Sequence, residues 1–114
     1  MKIKIARITP AGKIERIEIE NNLQGLYKAI DGGCNMIQAL FFDPVQGKSF
    51  HAYVDEDGIS RGQLPNRTAT RFCEQQELGL LPGDFIKGNM ILCGDDGEGN
   101  DADLPHEVFQ LLKI

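Results

Sequence analysis

Apolar residues recur along this chain with two different spacings, and the spacing switches several times. Alternation in twos puts successive side chains on opposite faces of a strand, whereas three-four spacing draws one stripe down a helix. A chain that keeps switching must pack helices on a sheet, because neither element buries its apolar side alone. At 3–8, Ile3 and Ile5 alternate with Lys2 and Lys4; at 14–19, Ile17 and Ile19 alternate with Arg16, Glu18 and Glu20. Pro10-Ala11-Gly12-Lys13 supplies turn residues between them, so a hairpin is predicted. Ile8 and Ile14 share the face of the other isoleucines only if a bulge or register change intervenes.

The spacing predicts a helix over 22–31, where Leu23, Leu26, Tyr27 and Ile30 form one stripe. Asn21 or Asn22 caps its start, and Gly32-Gly33 ends it. Gly25 weakens this helix slightly and permits close packing. Strands follow at 34–42 and 49–55, joined by the turn 43–48, and Asp55-Glu56-Asp57-Gly58 forms a tight acidic turn. A short strand is expected at 59–63. A second helix is expected at 66–78, with Ala69, Phe72, Cys73 and Gln76 inward and Gly79 at its end. A strand at 84–93, a polar loop at 95–103 and a helix at 104–113 complete the order. Val108, Leu111 and Leu112 face inward in that helix, Phe109 flanks them, Asp103 caps it and Pro105 sits in its first turn. The result is an α+β domain spanning 1–114, with a mainly antiparallel sheet and two or three helices.

At 114 residues, a second independent core would be too small to stand alone. The longest apolar runs, such as Ala39-Leu40-Phe41-Phe42, fall far short of a membrane span. The N-terminus alternates lysine and isoleucine and lacks the continuous apolar stretch of a secretory signal, so a cytoplasmic location is expected. Cys34, Cys73 and Cys93 form no Cys-x-x-Cys pair and read as free thiols of a reducing compartment, Cys34 exposed and the other two structural.

The net charge of −5 is unevenly placed. Residues 1–33 carry six bases and four acids, 34–94 five and seven, and 95–114 one and six. The tail accounts for the excess. No broad basic face marks a duplex-binding protein, although Arg61, Arg67 and Arg71 form a local group.

That group lies in Asp57-Gly58-Ile59-Ser60-Arg61-Gly62-Gln63-Leu64-Pro65-Asn66-Arg67, which joins a turn to a helix start. Free amides and the positive end of the dipole favour an anion there. Arg67 is the wrong sign for the first turn and costs about 0.3 kcal/mol or more unless something offsets it. Arg71 lies one turn on, Arg61 approaches from the preceding segment, and guanidinium groups beside amides grip phosphate or carboxylate. The candidate ligand-binding residues are therefore Arg61, Gly62, Asn66, Arg67 and Arg71. In the structural alternative, Asn66 only caps the helix and Arg67 pairs with a surface carboxylate.

Other motifs are weaker. Counting from Asp96, the loop after 95 offers acids or amides at places one, three and five, and Glu107 at twelve. Asp101 and Asp103 then stand where a calcium loop needs glycine and an apolar residue, so no metal site is expected. His51 and His106 lack a neighbouring nucleophile or carboxylate pattern, and no phosphate loop or nucleophile elbow is present. No catalytic residue and no cofactor is assigned.

Asp57-Gly58, Gly62, Leu64-Pro65-Asn66-Arg67, Gly83-Asp84-Phe85-Ile86-Lys87-Gly88 and Gly94 together resemble a domain-of-unknown-function family of phages and mobile elements. The similarity runs over roughly residues 1–95, with Pro65 directly preceding Asn66 where the family often has an intervening residue. The resemblance implies a small cytoplasmic accessory protein that acts by binding, including interference with host defence. Three hypotheses follow: a module for an anionic, nucleotide-like ligand; a module that inhibits or adapts a host protein; and an enzyme whose groups meet only on folding. Neither duplex nucleic acid nor membrane is an expected partner, and a homodimer is compatible with the small size.

Overall fold

The computed structural model describes residues 1–58, 61–78 and 85–114. Strands β1 (Lys2–Ile8) and β2 (Ile14–Glu20) form the expected hairpin, in unbroken register from Lys2 opposite Glu20 to Ile8 opposite Ile14. No bulge is needed, because the sheet is covered on both faces. Ile3, Ile5 and Ile19 pack under one layer of helix, while Ala6, Ile8 and Ile14 pack under the other.

Helix α1 (Leu23–Ile30) is capped by Asn22, whose side chain accepts from Gly25 N at 2.8 Å. Asn21 instead donates to the Asp101 carbonyl. Of the expected stripe, Leu26 and Ile30 are buried, joined by Gly25 and Ala29, while Tyr27 is partly buried and Leu23 is half exposed. The hairpin end sets this rotation: Glu20 O lies where only a glycine at 25 can meet it.

β3 (Ile37–Phe41) and β4 (Phe50–Asp55) pair antiparallel, with β3 shorter than the predicted 34–42. Helix α2 (Arg67–Gln75) starts at the Asn66 cap and stops before 78. Glu77, at φ +57°, takes the left-handed turn expected further on at Gly79, which lies outside the described residues. Its buried positions are Ala69, Thr70, Phe72 and Cys73. Of the expected strand 59–63, Ile59 and Ser60 lie outside the described residues, while Arg61 and Gly62 form a turn.

β5 (Met90–Asp95) begins later than predicted: Asp84 lies outside the described residues, and residues 85–89 precede the strand. Lys87 makes an isolated bridge to Pro65, and Gly88, at φ +72°, turns the chain before the strand can start. The polar loop holds a short strand, β6 (Asp101–Ala102), paired with Gly94 and Asp95. α3 (His106–Leu112) buries Val108, Phe109 and Leu112, leaving Leu111 exposed. Pro105 occupies its cap position without a side-chain hydrogen bond. Asp103 is drawn away to accept from Lys4 N at 2.7 Å.

The sheet runs β2-β1-β5-β4-β3 with β6 beside β5, and every pairing is antiparallel. α1 covers one face, over Ile3, Ile5, Ile91 and Cys93. α2 and α3 cover the other, around Phe42, Phe50, Phe72 and Leu92. This is the expected α+β fold with three helices. No described helix is long and apolar enough to cross a membrane.

Candidate functional site

The segment leading into α2 is organised around Asp55, at the end of β4. Its carboxylate is fully buried, and Oδ2 accepts from Arg61 Nε at 3.1 Å and Gln63 Nε2 at 2.8 Å. Oδ1 accepts from Asp57 N, and Arg61 also donates to Asn35 Oδ1 at 2.6 Å. A buried carboxylate requires such partners. Arg61 therefore spends its charge inside the loop, and the arginine expected to reach towards α2 is held against Asp55. Gly62 is exposed in the left-handed region at φ +69°, as a tight turn demands.

Asn66 is also claimed internally. It is completely buried, and Oδ1 accepts from Ala69 N at 3.0 Å. Nδ2 donates to Ile8 O at 2.9 Å and Gly88 O at 2.8 Å. Its backbone carbonyl accepts from Thr70 Oγ1, whose hydroxyl oxygen in turn accepts from Ile86 N. Every side-chain donor of Asn66 is used, so a ligand at this corner would meet other groups.

Arg67 and Arg71 are different. Both are exposed, one turn apart on α2, and neither pairs with a carboxylate of the described residues. The other arginines are occupied. Arg7 is held by Glu15 at 2.7 Å, and Arg16 donates to Ile114 O while lying 4.0 Å over the Phe109 ring. Two open clefts flank α1: one of about 790 Å³ against β2, and one of about 490 Å³ beside Ile37, Tyr53 and Asp101. Neither reaches Arg67 or Arg71.

Folding also assembles a polar cluster that local sequence does not announce. His51 Nε2 lies 2.7 Å from Asp101 Oδ1, which also accepts from the Tyr53 hydroxyl at 2.7 Å. His51 is buried and stands opposite Cys93 in the sheet. Burial, then the hydrogen bond to the Asp101 carboxylate, pushes the Tyr53 hydroxyl well above its usual range. Burial and the same carboxylate push up the Cys93 thiol. Burial raises Cys73 to about 11 and also raises Cys34, which is buried rather than exposed. These thiols are held in the unreactive protonated form. The histidine–carboxylate pair pins β6 to β4, and only the alternation placing His51 and Tyr53 on one face hints at it beforehand. No three metal-ligating side chains converge among the described residues.

Compared with known proteins, the model of a family described as a domain of unknown function, DUF3846, matches residues 1–113. No curated protein and no solved structure matches the chain. With all but the last residue inside that match, the chain belongs to the DUF3846 family.

Proposed function

We propose that this DUF3846 chain is a small accessory binding module, of the kind phages and mobile elements encode, that takes an anionic, nucleotide-like group on α2. Arg67 and Arg71 form the grip, and the exposed turn at Gly62 lies in the segment that leads into the helix. Arg61 and Asn66 support it from behind by fixing the loop and the cap. One observation carries this reading: in a chain of net charge −5, Arg67 and Arg71 are exposed and pair with no carboxylate among the described residues, while the other three arginines are engaged. Adjacent guanidinium groups repel, and a phosphate between them relieves that repulsion while forming charge-assisted hydrogen bonds.

Isothermal titration of inorganic phosphate and a nucleotide panel at low salt tests this. Saturable binding that is lost in the Arg67→Ala/Arg71→Ala double variant is expected, and it should weaken steeply with ionic strength because the site is exposed. Absence of heat with every anion, or undiminished binding by the double variant, would refute the reading. The alternative, a module that docks on a host protein such as a defence factor, is favoured by Phe41, which is 73% exposed at the sheet edge.

A further inference from the structure

The two edges of the sheet are built differently. β2 carries Glu15, Arg16, Glu18 and Glu20, the charge pattern by which natural edges resist further pairing. β3 lies within Met36-Ile37-Gln38-Ala39-Leu40-Phe41-Phe42, a run without a single charge, and no described strand flanks its outer side. Its ladder to β4 shows which groups stay unpaired. Met36 O accepts from Glu56 N, and Gln38 and Leu40 stand opposite Val54 and Ala52 in the same register. Antiparallel ladders alternate bonded and non-bonded pairs, so Ile37, Ala39 and Phe41 turn their N–H and C=O groups outward.

The side chains of these three residues share the α1 face. Phe41 lies against His51, with ring centroids 5.8 Å apart, and Ile37 packs with Tyr53 in the α1-side core. Phe41 is thus an exposed knob at one end of β3. Ile37, at the other end, is a wall of the cleft of about 490 Å³ that Leu23, Leu26 and Tyr53 also line. An antiparallel copy of β3, related by a two-fold axis through Ala39, sets Ala39 opposite Ala39 and Phe41 opposite Ile37. Its outward groups fall opposite outward groups, and each Phe41 reaches the lip of the other copy's cleft. Knob and hollow lie on one strand, equidistant from the axis, which is the self-complementarity an isologous contact requires.

We infer that the free edge of β3 pairs with β3 of a second copy of this chain, joining two sheets into one continuous antiparallel sheet. The occupant is a second copy because the edge carries both halves of the fit and no charge to oppose itself.

Sedimentation of the full chain over ~1 to ~500 µM is expected to show a reversible doubling of mass with concentration. Amide exchange gives the residue-level readout. Ile37, Ala39 and Phe41 should become protected only as the dimer fills, whereas Gln38 and Leu40 should be protected throughout. Ala39→Pro removes an outward N–H without touching the ladder to β4 and should abolish association. Phe41→Lys alters an exposed side chain, leaves the monomer folded, and should weaken association about tenfold or more. It decides the matter if the proline variant does not fold. A wild-type monomer at every concentration overturns the inference, even if the edge accepts a strand of another protein. A dimer that persists undiminished with Phe41→Lys, or with a folded Ala39→Pro, overturns it as well.

Discussion

Asn66 shows how one residue can hold a fold together while looking like a ligand contact. Its position before an amphipathic stretch makes it a readable helix cap, and it does cap α2. The rest of its role is unreadable locally, because the acceptors of its amide are Ile8 O, 58 residues away, and Gly88 O. Asn66→Ala removes the cap and withdraws the amide that donates to the buried Ile8 and Gly88 carbonyls. A loss of about 3 kcal/mol is expected from the lost cap and the lost buried hydrogen bonds. Thermal unfolding should show it as a drop of roughly 10 °C or more. Arg67→Ala, one residue on and exposed, should leave the melting temperature nearly unchanged. This contrast separates the structural corner from the proposed anion contact. Arg61 was hidden for a related reason: its partner Asp55 is an acid in an apparently solvated turn, and only the tertiary structure buries it.

At the scale of elements, the helical and strand periods were legible, and their rotations and ends were not. The pattern at 22–31 announces a helix, but a lone amphipathic segment does not say which side another element will approach. The decision falls at Gly25. A Cβ there would lie 2.1 Å from Glu20 O, backbone that cannot move away without disturbing the end of β2. Gly25→Ala is therefore expected to destabilise by about 1–3 kcal/mol, against the gain of about 1 kcal/mol that alanine brings to an unencumbered helix. Chemical denaturation gives the sign, and a stabilised variant would mean that α1 does not sit this close to the hairpin. The end of α3 follows similar logic. Asp103 is a good cap by residue type, but Lys4 N, a backbone donor 99 residues away, recruits its carboxylate first.

For the whole molecule, two helical layers on one sheet explain both the stability expected at neutral pH and its loss in alkali. Cys73 and Cys93 are buried, Tyr53 is partly buried, and all three have raised pKa values, Cys73 to about 11. Groups raised in this way favour the folded state while they stay protonated. Their contribution is whole below the unfolded values of about 8.5 for cysteine and about 10 for tyrosine, and it is lost as pH rises past them. The melting temperature should therefore fall steadily above about pH 9, with a shallower fall in Tyr53→Phe. A flat profile to pH 11 would contradict this burial. At the acid end Glu15 works in reverse. The hydrogen bond from Arg7 holds its carboxyl below the usual range, so its contribution is present at neutral pH and fades as pH drops through its folded value. What the amino-acid order determined by itself is local: period, turn chemistry, caps, the uncharged run of β3 and the unequal charge of the tail. These follow from nearest-neighbour sterics and hydrogen bonds, which act within a few residues. Which arginines keep their charge for solvent, which face each isoleucine serves and where His51 meets Asp101 were decided by the tertiary structure. Burial and pairing depend on partners brought together across the sheet, and no local pattern encodes the distance between them.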